Sequence, residues 1–158
     1  MVILNEAGIF LDIQPRSSKE VIYLLAGALE KLGAVSSKYA EMAYKREQKY
    51  PTGLPAQPYA IALPHTNCEE VYQSALAFAR LKEPVFFGSM ENHSIDLPVS
   101  MVLLMANNKP QDQIRMLRRI SKLVKNPKNV IDLFALNEVR DVAEWLKREL
   151  KLNPVVSI

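Results

Sequence analysis

Cysteine is nearly missing from this chain, with Cys68 the only one. A single thiol excludes an internal disulfide and points to a reducing, intracellular compartment. Histidine is scarce as well. His65 and His93 are the only two, and no His-x-x-His or Cys-x-x-Cys spacing offers a usual metal-ligand set. The five glycines are scattered, which leaves no Gly-rich loop to cradle a nucleotide phosphate. No apolar run reaches the length of a bilayer span, and the longest, around Val99–Ala106, is that of one buried strand. The N-terminus shows no basic stretch followed by an apolar run and small cleavage residues, so no signal peptide is read. A net charge of +3 over 158 residues is far from the dense basic composition of a dedicated nucleic-acid binder. These absences predict a soluble, cytoplasmic protein with no metal, no cofactor and no nucleic-acid partner.

What is present is an ordinary globular composition, 49% hydrophobic and 23% charged, expected to form a single domain over residues 1–158. Ile9–Ile13 reads as a first strand. Ser17 and Glu20 have capping-box spacing, and the helical apolar period from Val21 to Leu32 ends at Gly33. A second helix is expected from Ser36 or Ser37 to about Lys49, and a turn-rich loop over Pro51–Pro55. Strands are expected over Tyr59–Leu63, Ser74–Leu81 and Leu97–Ala106, with Glu83-Pro84 breaking the chain before Val85–Phe87. Asn67 is placed as the cap of a short helical turn, and Asn108 as the cap of a helix running to about Lys125. Short helices over Lys128–Ala135 and Glu138–Leu150 close the chain. Strands and helices interleave through the first two thirds and the last third is all helix. The predicted class is α/β of the α+β type: a mixed sheet of about five strands flanked by helices on both faces, a three-layer sandwich.

The most informative residues are Ile61-Ala62-Leu63-Pro64-His65-Thr66. Proline fixes its own φ and biases the residue before it towards extended geometry, so the following side chain is held at an element's edge. Imidazole is a neutral nucleophile near pH 7 and can accept and release a phosphoryl group or a proton. Two helices carry a polar residue where period predicts a buried one. Arg46 falls at i+7 from Tyr39, after Met42 and Ala43; it either meets an anion or strong acceptors, or it snorkels to the surface or pairs with a neighbouring carboxylate. Gln113 extends the Met116, Leu117, Ile120, Leu123, Val124 stripe by one turn; it either points its amide at a neighbour or frays with the first turn. Arg115, Arg118, Lys122 and Lys125, with Arg119 at the border, form a positive stripe, either a solvated face or a docking surface for an acidic partner. Cys68 reads as a small buried thiol and His93 as an exposed loop residue.

Arg46-Glu47, Pro51-Thr52-Gly53 and Ala60-Ile61-Ala62-Leu63-Pro64-His65-Thr66 form an ordered set that resembles the IIA domains of the fructose/mannitol class (type 2) of the bacterial sugar phosphotransferase system. The similarity continues through Ala79-Arg80-Leu81, Pro84-Val85-Phe86-Phe87, Met105-Ala106 and Pro110-Gln111-Asp112-Gln113 with Leu117, from about Gly8 to Leu150. Within that family the chain is most similar to galactitol-type members, which have a Pro-Gln-x-Gln stretch where most others have a second histidine. Gln113 can donate a hydrogen bond but cannot carry a positive charge.

The resemblance implies a phosphotransferase that works through a phosphohistidine and needs no metal or nucleotide. His65 would accept a phosphoryl group from phospho-HPr and pass it to a sugar-specific IIB component that serves a membrane IIC, with galactitol or a related polyol as the sugar. Arg46 would neutralise the phosphoryl charge, Gln113 would add an amide at a helix N-terminus, and Thr52 and Thr66 would add donors. Leu54, Leu63 and Met90 would form an apolar rim for the partners. The rival within the same fold is a regulatory IIA-like domain that reports phosphorylation state to a transcriptional or metabolic target. A binding module that uses the basic stripe is a third reading, and it leaves His65 and Arg46 unexplained.

Overall fold

The computed structural model describes residues 1–152, so the last six residues of the expected domain lie outside it. In chain order the elements are β1 (Ile3–Ile13), α1 (Ser18–Lys31), α2 (Tyr39–Lys49), β2 (Gly53–Leu54), β3 (Ala60–Ala62), a 3-10 turn (Cys68–Glu70), β4 (Ala75–Gly88), β5 (Asp96–Ala106), α3 (Pro110–Val124), α4 (Pro127–Phe134) and α5 (Val139–Glu149). The strands form one mixed five-stranded sheet in the order β1-β4-β5-β3-β2. β1 is parallel to β4 and β3 to β5, whereas β4–β5 and β2–β3 are antiparallel.

Successive strand residues point to opposite faces, and here both faces are covered. Ala75, Ala77 and Ala79 of β4 and Val102, Leu104 and Ala106 of β5 pack with α1 and α2. Leu76 and Phe78, with Met101, Leu103 and Met105, pack on the other face against α3, α4 and α5. Small residues on the first face let α1 approach closely, and large ones on the second fill the space under three helices. The predicted three-layer class is the observed one.

Local chemistry explains the departures. Ser17 caps α1 as expected, its hydroxyl accepting from the Glu20 amide at 3.2 Å, and Gly33 takes a φ of +77° after the helix end. Asn126 caps α4 by accepting from Lys128 N. Asn108 does not cap α3: its Oδ1 already accepts from Ser74 Oγ at 3.0 Å, and the cap position falls to Lys109 with no side-chain bond. Asn67 likewise makes no side-chain cap. The second helix begins at Tyr39, because Ser36 Oγ accepts from Lys38 N in a local turn instead. β4 runs through Glu83-Pro84, where an irregularity between Arg80 and Val85 accommodates the proline. β1 starts six residues earlier than predicted, at Ile3.

Gly53 and Leu54, expected to lie in a loop, form the edge strand β2. A Cβ at Gly53 would stand 2.6 Å from the Gly88 carbonyl oxygen, so only glycine lets these backbones approach. The Met90 amide donates to Gly53 O at 2.8 Å from the same side. These contacts hold the segment that follows α2 against the strand leading into His65.

Candidate functional site

β3 and β5 run side by side in the same direction, and His65 and Asn107 lie just past their carboxyl ends. The pairing persists beyond β3, since the Met105 amide donates to Pro64 O at 3.0 Å. Tyr39 fastens the β5 segment from below. Its buried hydroxyl donates to Met105 O at 2.6 Å. Burial raises the Tyr39 phenol far above its usual range, so it stays a neutral donor.

His65 is 7% exposed, and its Nδ1 stands 2.7 Å from Leu63 O. A carbonyl oxygen only accepts, so Nδ1 carries the ring proton of the neutral imidazole and Nε2 carries the lone pair. Burial holds the pKa of His65 below its ordinary value; the Leu63 bond opposes this and the Arg46 guanidinium adds to it. The ring is therefore a neutral nucleophile at pH 7 with one free nitrogen. Arg46 neighbours Glu47, whose carboxyl is joined through Thr52 to the Leu63 amide, so α2's last turn is tied to the segment that carries His65.

Arg46 is half-buried, its guanidinium lies 5.2 Å from the Tyr50 ring centre, and its Nε is buried with no hydrogen-bond partner. No ion pair to Arg46 exists among the described residues. Gln113, in the first turn of α3, has a buried Oε1 without a partner. That helix starts three residues after Asn107, just past the end of the strand paired with β3; burial, with Asp112 adding to it, raises the Cys68 thiol. Cys68 itself is half-buried, not enclosed.

Thr52 differs from expectation. Its hydroxyl donates to Glu47 Oε1 at 2.7 Å, its amide donates to Glu47 Oε2 at 2.8 Å, and its Oγ1 accepts from the Leu63 amide at 3.0 Å. Both donors are occupied within the protein, so Thr52 braces the backbone on which His65 is mounted and has none left for a ligand. Thr66 is buried, next to Tyr39. Of the expected rim, Leu54 and Met90 are half-buried at the surface, but Leu63 is fully enclosed among Leu76, Met101 and Leu103 and cannot meet a partner.

Sequence reasoning missed two residues. Glu47 is 6% exposed and forms the far end of the chain of hydrogen bonds to Leu63; burial pushes its carboxyl up to about 7 against the pull of the two Thr52 bonds. Its sequence signal was its place on the helix's buried stripe, at i+4 from Ala43 and i+8 from Tyr39. Asn107 is 1% exposed with neither amide atom bonded, and an asparagine ending an apolar strand gives no distinctive signal.

Residues 2–149 match the family model described as "Phosphoenolpyruvate-dependent sugar phosphotransferase system, EIIA 2". Over 121 residues, 77% of this chain and 80% of the relative, the chain is 27% identical to the "PTS system galactitol-specific EIIA component" of Escherichia coli strain K12. Over 115 residues, 73% of this chain, it is 34% identical to a segment making up 16% of the "Transcriptional regulator ManR" of Bacillus subtilis strain 168. Among solved structures it superposes on the complex of enzyme IIAMTL and phosphorylated enzyme IIBMTL from Escherichia coli with a TM-score of 0.72. That match has 23% identity and covers 97% of this chain and 100% of that one.

Proposed function

The chain belongs to the EIIA type-2 family of the phosphoenolpyruvate-dependent sugar phosphotransferase system, and on that premise we propose that it carries a phosphoryl group on His65 Nε2. The observation that carries this reading is the Nδ1–Leu63 O hydrogen bond of 2.7 Å, which leaves one nucleophilic nitrogen on a buried, neutral ring beside an unpaired guanidinium. In the proposed step the Nε2 lone pair attacks the phosphorus of a phosphohistidine on HPr. The new P–Nε2 bond forms as the donor's P–N bond breaks, and the donor imidazole leaves with that electron pair. His65 keeps its Nδ1 proton, and the bond to Leu63 O strengthens as the ring becomes positive. Arg46 stands beside the equatorial oxygens, where charge accumulates, and Gln113 offers an amide at the positive end of α3.

The second transfer, also in the cytoplasm, runs the same chemistry in reverse, from Nε2 to a nucleophile on a sugar-specific IIB component that serves a membrane IIC. Galactitol or a related polyol is the favoured sugar, on the likeness to the galactitol-specific component of Escherichia coli. The likeness to a segment of a transcriptional regulator supports a second reading, in which the same phosphohistidine reports to a regulatory target. Neighbouring genes for IIB and IIC components favour the first, and pairing with a regulator favours the second.

The test is intact-protein mass after incubation with phosphoenolpyruvate, enzyme I and HPr, on the native chain and His65→Ala. The expected result is gain of one acid-labile phosphoryl group by the native chain alone. No gain, with HPr itself phosphorylated, overturns the reading.

A further inference from the structure

Asn107 holds a carboxamide in the protein interior with nothing bonded to either end. It is 1% exposed, and neither Oδ1 nor Nδ2 has a hydrogen-bond partner in the protein. Buried polar side chains are nearly always paired, and an unpaired amide carries the full cost of its desolvation. An orphan of this kind calls for a ligand.

Its position says which. Along β5, Met101, Leu103 and Met105 face α3, and Asn107 is the next residue of that parity, one step past the strand end at Ala106. On the adjoining parallel strand the same face carries Ile61 and Leu63, with His65 next in the same parity. The bond from Met105 N to Pro64 O holds these extensions level, and the Tyr39 hydroxyl anchors Met105 O from the other side. Asn107 thus lies two residues beyond a backbone paired directly to the His65 segment. The other unpaired buried side-chain atoms among the described residues are Arg46 Nε and Gln113 Oε1, on the helices that flank the same segment. Three polar side chains without partners thus sit on the strand end and the two helices that border the His65 segment. Which end of each amide is N or O is open to rotation, so both can present a donor.

We propose that Asn107 is a phosphoryl-binding residue, its Nδ2 donating to an equatorial oxygen of the group carried on His65; this rests on the phosphocarrier reading. Arg46 approaches that group as a charge, and Asn107 and Gln113 approach as neutral donors. Two neutral amides suit a carrier, because they hold the oxygens without the charge that would make release to the next protein slow. The bond is made in the transition state as well as in the phosphorylated product, so its loss slows uptake.

Asn107→Ala and Asn107→Asp are compared with the native chain for kcat/KM of phosphoryl uptake from phospho-HPr and for Tm. The expected result is a fall of about tenfold or more for Asn107→Ala, the loss of one neutral hydrogen bond. A larger fall is expected for Asn107→Asp, whose carboxylate repels the incoming group. Tm of Asn107→Ala should be no lower than native, since the variant removes an unpaired buried amide; a residue needed only for folding would lower Tm and leave the rate alone. In the native protein the Asn107 side-chain amide NMR signals should shift on phosphorylation, which keeps the idea testable if a variant fails to fold. Uptake by Asn107→Ala at the native rate, or amide signals unmoved by phosphorylation, overturns the role of Asn107 while the phosphocarrier reading stands. Failure of the native chain to gain a phosphoryl group overturns both.

Discussion

Two buried ionisable groups, His65 and Glu47, are coupled through four hydrogen bonds yet shift in opposite senses. Burial disfavours the charged form of each, so the imidazole is lowered and the carboxyl is raised to about 7. Their effects on stability therefore have opposite signs. Below pH 4.5 Glu47 is protonated in both states and its contribution is fully present; from there to about 7 the unfolded carboxyl ionises while the folded one keeps its proton. Stability from Glu47 falls as pH rises through that window. His65 does the reverse, losing its contribution as pH falls from the ordinary 6.5 through its lowered folded value. Glu47→Gln retains the histidine effect, so subtraction isolates the carboxyl. We expect the native chain's advantage over Glu47→Gln in urea to shrink between pH 5 and 7.5, by on the order of 3 kcal/mol at most. A constant or growing advantage would mean that the Thr52 bonds outweigh burial and that Glu47 is ionised throughout. His65 and Arg46 were legible in the sequence because Pro64 and an apolar helical stripe marked them as misplaced polar groups. Glu47 and Asn107 were not, because their significance lies in which partners they have or lack.

Elements were legible wherever side chains act locally and obscured wherever distant contacts decide. Ser17 caps its helix as its spacing suggests, but Asn108 is claimed by Ser74, thirty-four residues away in sequence. The clearest long-range case is Arg80, buried in β4. Its Nε and Nη2 each donate to an Asp12 carboxylate oxygen at 3.0 Å, while Nη1 donates to the Phe134 and Leu136 carbonyls. One side chain thus ties the end of β1 to the α4–α5 connection. Nothing in Ala79-Arg80-Leu81 reveals this, since an arginine in an apolar strand also suits an exposed edge. Arg80→Met keeps the apolar stem and deserts two carbonyls and a carboxylate. At about 1–3 kcal/mol for each buried group left unpaired, the variant should lose roughly 3 kcal/mol in urea denaturation. The clamp touches none of the residues around His65, so phosphoryl uptake per folded molecule should match the native rate. A variant that unfolds at native urea concentrations would deny the clamp any part in joining these elements.

At the scale of the whole molecule, the three-layer class followed from the order of strands and helices, whereas the sheet order did not. Placing β3 beside β5, forty residues apart, is what brings the strand ends followed by His65 and Asn107 together. If His65 carries the group as proposed, the surface around this junction decides which partner can deliver or collect it. Tyr50 and Ile114 are exposed beside Arg46 and Gln113, and Leu54 and Met90 are tied together by the Met90–Gly53 bond. The basic residues Arg115, Arg118, Lys122 and Lys125 line the exposed side of α3 next to Ile114. An apolar patch with positive charge at one flank suits a partner that presents the inverse, and such a contact weakens with salt. On the proposed carrier reading, His65 itself would not discriminate among IIB components, since the transfer chemistry is common to them, and discrimination would fall to these surrounding side chains. If the galactitol-type likeness extends to this surface, the phosphorylated chain should transfer to a galactitol-type IIB at least about tenfold faster than to a mannitol-type IIB, a difference of about 1.4 kcal/mol in docking. Rates to both are read from loss of phosphoryl mass on the chain at two ionic strengths. Equal rates would remove galactitol from the proposal and leave the carrier chemistry in place. Transfer to neither, from a chain that charges normally, would favour the regulatory reading, because the phosphohistidine would then be a state to be sensed and not a group in transit.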